Sequence, residues 1–182
     1  MVDFTPSYLF SAERLARLHK MLTDIDADVG HLTALPDTGL AHDHVWISRN
    51  TGPDWIARLP KQSQMRLDPQ ANLDYQAACF QRAAPSGHTP ALHGIIPISA
   101  DLPRGGLLVS AIEGRPARLP DDLPAIGETL AQLHDVPLPS VETRSPLESP
   151  HSPGLKSECK TDYRIVRLFQ WRVMATLWQS AM

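Results

Sequence analysis

Three consecutive residues, His42-Asp43-His44, are types that bind metals. Imidazole and carboxylate groups are common zinc ligands, so the triplet invites interpretation as a metal site. The segment also has the pattern of a strand, in which successive side chains point to opposite faces. His42 and His44 would then share one face while Asp43 takes the other. Because no further cluster of ligands accompanies them in the sequence, we expect no metal site here.

A helix and two strands would surround this triplet. Ser11 is a suitable N-cap, and apolar residues follow at helical spacing (Leu15, Leu18, Leu22 and Ile25). Strands are predicted at 31–35 and 44–48, with a turn between them, and Val45 and Ile47 would share a face opposite Trp46. Further strands are predicted at 55–59, 91–98 and 107–110.

Two more helices complete the pattern. Asp68-Pro69 forms an N-cap and first turn, and the buried face that follows is predicted to comprise Leu73, Ala77, Phe80 and Ala84. After the turn at 120–122, a second apolar stripe comprises Leu123, Ile126, Leu130 and Leu133. His134 lies in the last turn of this helix, where a cation suits the helix dipole.

The composition of the chain limits the classes of partner that it could bind. The chain has 182 residues and a net charge of −3, which argues against nucleic acid or an anionic membrane as partner. Cys79 and Cys159 form neither a disulfide framework nor a metal spacing, so a cytoplasmic location is expected. The sequence contains no apolar run of about 18 residues and no signal-peptide pattern, so we expect no membrane span.

The segment LLVSAIEGRP at 107–116, followed by LAQLHDVPLP at 130–139, resembles the aminoglycoside phosphotransferases and their choline-kinase-like relatives. This resemblance extends back to about residue 30. It implies an α+β fold, a protein-kinase-like small lobe with a five-stranded antiparallel sheet and packed helices. The implied organisation is an N-terminal helix, the lobe, a hinge with a connector helix, and a Pro/Ser-rich linker with an atypical C-terminal helical tail (1–28, 29–113, 114–137 and 138–182).

The resemblance also implies a nucleotide site. Its cofactor-binding residues would be a turn that covers the phosphates, a strand residue, a cation on the third strand, its partner in the following helix, and the hinge (Gly39, Leu40 and Ala41; Val45; Arg58; Gln76; Ser110, Ala111 and Ile112). In the family the helix partner is a glutamate. Gln76 at this position can hydrogen-bond a guanidinium but brings no charge, and Asp74 is the alternative partner. The turn by itself is more typical of an ordinary hairpin.

ATP and Mg²⁺ are the cofactors that the family implies, with a small-molecule hydroxyl as acceptor. Family members carry a catalytic loop of the form His-Gly-Asp-x-x-x-x-Asn, whose residues act on the acceptor and hold Mg²⁺. No His-Gly-Asp triplet occurs in this sequence: His93-Gly94 is followed by Ile95. We therefore assign no catalytic residue and no metal ligand, and interpret the chain as a nucleotide-binding lobe, truncated before that loop.

Two other interpretations stay open at this stage. The chain could be a non-enzymatic binding module that acts through a helix at 161–182, where aromatic and arginine side chains are concentrated. It could also be an unrelated α+β domain whose strand order imitates a kinase lobe.

Overall fold

One open antiparallel sheet, with the strand order β1-β2-β3-β5-β4, organises the fold. The structure is a computed structural model, and it describes residues 11–36, 41–63 and 65–140. The strands are β1 (Val29–Ala34), β2 (His42–Arg49), β3 (Trp55–Pro60), β4 (Leu92–Ile96) and β5 (Gly106–Ser110), and the helices are α1 (Ala12–Ile25), α2 (Pro69–Ala83) and α3 (Leu123–His134). The predicted α+β small-lobe architecture is thus confirmed in the described part of the chain.

Helix α1 covers one face of the sheet. The Ser11 hydroxyl accepts a hydrogen bond from the Arg14 backbone N–H at 3.3 Å, which satisfies one of the donors that a helix start leaves without a partner. Leu18 and Leu22 are buried against the sheet, whereas Ile25, one turn further on, is 44% exposed. The apolar cluster on this side also includes side chains from all five strands (Val29, Leu32, Val45, Ile47, Trp55, Ala57, Leu59, Ile96 and Leu108).

Helix α2 covers the opposite face. The Asp68 carboxylate accepts from the Ala71 N–H at 2.9 Å, as expected of an N-cap followed by proline. The cluster beneath the helix contains Ile56, Leu73, Ala77, Phe80, Leu107 and Val109. The prediction of Ala84 as a buried residue was wrong. The helix ends at Ala83, which is buried, and Ala84 is exposed at the start of a short 3₁₀ turn, Ala84–Ser86.

Alternation along the strands sorts side chains between these two clusters. In β3, Ala57 lies in the α1-side cluster and Ile56 in the α2-side cluster. In β2, Val45 and Ile47 lie on the α1 side and Trp46 on the α2 side, as predicted. The sheet is therefore a single layer with two separate apolar contacts, one with each helix.

Helix α3 follows the sheet after an extended segment. Among the residues of its predicted apolar stripe, Leu133 is buried and Leu123 is 52% exposed. The end of α3 meets the end of α2: an Arg82 guanidinium N–H donates to the Pro137 carbonyl, and His88 Nε2 contacts Gln132 Oε1. The predicted helix at 161–182 lies outside the described residues. No helix within the described ranges is both long enough and apolar enough to span a membrane.

Candidate functional site

Arg58 lies on the α2 side of β3, near the centre of the sheet. It is directly opposite His44 of β2, and its own strand also pairs with β5, where Leu107 is its partner. The side chain is only 2% exposed. Its guanidinium carbon lies 5.9 Å from the centre of the Phe80 ring on α2, within the range of a cation–π contact. A positive charge is thus buried between the sheet and α2.

His42 connects this cation to the helix. Arg58 Nη2 lies 3.2 Å from both ring nitrogens of His42, and His42 Nε2 lies 2.9 Å from Gln76 Oε1. All three side chains are buried, and the ring of His44 stacks on that of His42 with centroids 6.2 Å apart. We call Arg58, His42 and Gln76 the buried relay.

The helix partner is therefore Gln76, through His42, and not the alternative Asp74. Gln76 is 5% exposed and faces the sheet. Asp74 lies on the exposed surface of the helix, where it accepts a hydrogen bond from Gln70 at 2.8 Å. His42 was not among the predicted site residues. The signal that could have revealed it is the strand alternation that puts His42, His44 and Arg58 on one face once β2 and β3 are paired.

Two side chains of helix α2 in the region of Arg58, those of Tyr75 and Cys79, are uncharged at neutral pH. Burial raises the pKa of the Cys79 thiol to about 12, although a hydrogen bond from Tyr75 and the charge of Arg58 act in the opposite direction. Burial, with Cys79 nearby, also raises the pKa of Tyr75 above its ordinary value. Both groups stay protonated at neutral pH, so neither adds a negative charge beside Arg58.

The remaining predicted nucleotide-binding residues do not all lie on the Arg58 face of the sheet. Gly39 and Leu40 lie outside the described residues. Ala41 immediately precedes β2, and its carbonyl accepts from the Lys61 N–H at 2.8 Å. Val45 is fully buried in the α1-side cluster, so the structure puts its side chain on the face opposite Arg58.

The hinge residues extend directly from the end of β5. The Ser110 N–H donates to the Ala91 carbonyl at 2.9 Å, and the Ala111 N–H donates to the Asp54 carbonyl at 3.0 Å. The Ser110 hydroxyl is 2.8 Å from His93 Nε2. Ile112 then leaves the sheet and is 60% exposed. The backbone donors of the first two hinge residues are thus already used within the sheet.

A metal site is not assembled in the described part of the chain. Within residues 11–36, 41–63 and 65–140, no group of three or more His, Cys, Asp or Glu side chains is arranged to hold a metal ion. Asp43 is on the other face from the two histidines, where it forms an ion pair with Lys61 at 2.7 Å.

Comparison with known proteins gave one match. The family described as "APH: Phosphotransferase enzyme family" matches residues 31–182. This match continues beyond residue 139, the end of the segments that carry the resemblance in the sequence. No curated protein and no solved structure matches the chain.

Proposed function

The chain belongs to the phosphotransferase enzyme family, and we propose that residues 29–113 form the nucleotide-binding lobe of a kinase-like, ATP-dependent phosphotransferase. One observation carries this proposal: Arg58 stands on the central strand β3, on the face that α2 covers, with α2 connected to it through His42. Kinases bind the α- and β-phosphates of ATP with a cationic side chain on a strand, and a residue of the following helix holds that side chain in place. The strand order and the contacts of the buried relay support this proposal.

The adenine would bind at the hinge. Because the N–H groups of Ser110 and Ala111 donate within the sheet, the backbone of Ile112 is the next donor that the base edge could use. Backbone recognition of this kind tolerates many side chains, which is consistent with an exposed isoleucine at this position.

The guanidinium must become accessible for the phosphates to reach it. Arg58 is 2% exposed, so nucleotide binding would have to move α2, or the guanidinium itself, away from the present packing. Movements of packed helices that open and close around ligands are a known class of conformational change.

Mg²⁺, when bound, would neutralise charge on the phosphates, and a small-molecule hydroxyl would accept the transferred phosphoryl group. The described residues do not fit a magnesium site by themselves, because they contain no cluster of suitable ligands. We therefore assign phosphate and base binding to this lobe and derive no catalytic step from it. The rival interpretation, a binding module acting through residues 161–182, concerns residues outside the described ranges.

The test is the affinity for ADP and adenosine, measured by calorimetry on the 182-residue chain. Binding is the appropriate readout, because the sequence contains no His-Gly-Asp triplet. Arg58→Met should weaken ADP binding about tenfold or more, since hydrogen bonds to a charged group contribute roughly 1.5–3 kcal/mol. Adenosine binding should change little.

Arg17→Met is the matched control. Arg17 has the same charge but lies on α1, across the sheet, where it pairs with Glu13 and Asp101. This variant should keep the ADP affinity of the unaltered chain. The proposal is wrong if the chain does not bind ADP at millimolar concentration, or if both variants weaken ADP binding equally.

A further inference from the structure

We propose that His93 is a positioning residue for the nucleotide base: from a bulge in β4, it fixes Ser110 and with it the start of the hinge. This inference rests on the proposed function, which assigns base binding to the hinge, and it adds a residue that acts on the hinge from outside the site. Its basis is a set of contacts in which the His93 ring stacks on Trp55 and its Nε2 lies 2.8 Å from the Ser110 hydroxyl oxygen. We call Trp55, His93 and Ser110 the hinge clamp.

An irregularity in the edge strand β4 directs His93 to this place. The strands β4 and β5 pair at Leu92–Val109 and next at Gly94–Leu108. This step of two residues on β4 against one on β5 leaves His93 as an extra residue without a partner in the ladder. A Cβ added at Gly94 would meet Leu108 on the α1 side, which is also the side of the His93 ring. Because Gly94 has no side chain, nothing from the next residue of β4 crowds the ring.

The indole under His93 is itself held in place. The buried Trp55 ring lies 4.9 Å from the His93 ring, centre to centre, with 17° between their planes. The Arg49 guanidinium carbon lies 4.1 Å from the centre of the Trp55 ring, within the range of a cation–π contact. Arg49 Nη2 is in turn 2.9 Å from a carboxylate oxygen of Asp26 and 2.9 Å from one of Asp28. His93 therefore stacks on a side chain whose own position is fixed by its packing.

The hinge clamp acts at the point where the chain leaves the sheet. Ser110 is the last residue of β5, and the backbone of the exposed Ile112, two residues on, is the donor proposed for the base. The Ser110 hydroxyl can donate or accept, so its contact with His93 does not depend on which ring nitrogen carries the proton. The clamp lies on the α1 side of the sheet and Arg58 on the α2 side. It can therefore fix the hinge without occupying the face assigned to the phosphates.

The first experiment compares His93→Ala with His93→Gln, using adenosine and ADP as probes in calorimetry on the 182-residue chain. Alanine removes both the stack and the hydrogen bond, whereas the glutamine amide can still donate to or accept from the Ser110 hydroxyl. His93→Ala should weaken the binding of adenosine and of ADP by the same factor, about three- to tenfold, because the base is common to both. His93→Gln should restore most of the affinity for both probes. Arg58→Met, in contrast, should weaken the binding of ADP alone.

His31→Ala is the matched control. His31 is an exposed histidine of β1, the edge strand at the other end of the sheet, and its replacement should leave both affinities within about twofold. Adding Ser110→Ala to His93→Gln should abolish the rescue, because the glutamine then has no hydroxyl to hold. The positioning role is overturned if His93→Ala leaves the adenosine affinity unchanged or weakens ADP alone. It is also overturned if the rescue by glutamine persists without the Ser110 hydroxyl.

Amide hydrogen exchange without nucleotide judges the hinge clamp independently of binding. The Ala111 N–H, which donates to the Asp54 carbonyl at 3.0 Å, should exchange about threefold faster or more in His93→Ala than in the unaltered chain or in His31→Ala. Equal rates in all three would overturn the inference. If exchange responds as expected but adenosine does not bind, the proposed function fails and the base-positioning role fails with it, while the clamp is retained. If adenosine binds but His93→Ala changes neither the affinity nor the exchange rate, only the inference fails.

Discussion

Replacing Gly105 with alanine should destabilise the lobe far more than the same change at an exposed glycine. Gly105 stands at the turn into β5 with φ +59°, and a Cβ there would lie 2.7 Å from the Ile96 carbonyl oxygen and 2.9 Å from Leu73 Cδ2. The left-handed conformation costs an L-residue roughly 1–2 kcal/mol, and overpacking typically adds about 1–3 kcal/mol. Since the closest atom belongs to the backbone and cannot rotate away, we expect a total of about 3 kcal/mol.

The assay is urea denaturation followed by far-UV circular dichroism, with the free energy of unfolding extrapolated to water. Gly127→Ala is the matched control, because Gly127 is exposed within α3 and an added Cβ meets nothing within 4 Å. A helix interior favours alanine over glycine by about 0.8–1 kcal/mol, so this variant should be slightly more stable. If Gly105→Ala lowered the free energy of unfolding by less than about 1 kcal/mol, the turn would not be constrained as described.

Two further predictions concern the helices on either side of the sheet. Leu22→Ala should lower the free energy of unfolding by about 2–5 kcal/mol, because Leu22 is 0% exposed. Ile25→Ala on the same helix should lower it by less than about 1 kcal/mol, because Ile25 is 44% exposed. Equal losses in urea denaturation would contradict the α1 packing. In a Cys159→Ser background, Cys79 should be alkylated by iodoacetamide at pH 8 about a thousandfold more slowly in the folded than in the unfolded chain, since its pKa is raised from 9.0 to about 12. Mass spectrometry of the modified peptide gives the rate of alkylation. Similar rates in both states would refute the burial of the thiol. Because the folded state keeps this proton longer than the unfolded state, the same group should lower stability progressively as pH rises from about 9 towards 12, and a stability that stayed constant over that range would argue against the raised pKa.

The sequence was a good guide to the elements and a weaker one to their ends. The caps Ser11 and Asp68 were predictable because a side-chain oxygen at a helix start has a local partner three residues on. The end of α2 also has a local signal, because Pro85 disfavours the helical conformation at the residue before it. The prediction of Ala84 as buried instead followed the four-residue step from Phe80, whereas the helix ends at Ala83.

The strand that carries Arg58 was predictable from the sequence, whereas the nucleotide-binding role of Arg58 stays a prediction from the family resemblance. The contacts of His42 were not predictable. Its contact with Arg58 depends on the pairing of β2 with β3, and its contact with Gln76 joins two residues that are 34 positions apart in sequence. For Val45, too, the prediction of a strand was not enough to assign a role. Its strand was correctly predicted, but only the packing of α1 shows which face it occupies.

The placement of Arg58 makes β3 intolerant of changes in length. Its neighbours Ala57 and Leu59 lie in the α1-side cluster, so inserting or deleting one residue before Arg58 would turn the guanidinium into the hydrocarbon beneath α1 and bring an alkyl side chain to His42. A shift by two residues would keep the correct face while moving the charge about 6–7 Å along the strand. Evolution of this strand can therefore proceed by exchanging side chains, whereas an odd change in residue count would exchange the contents of its two faces.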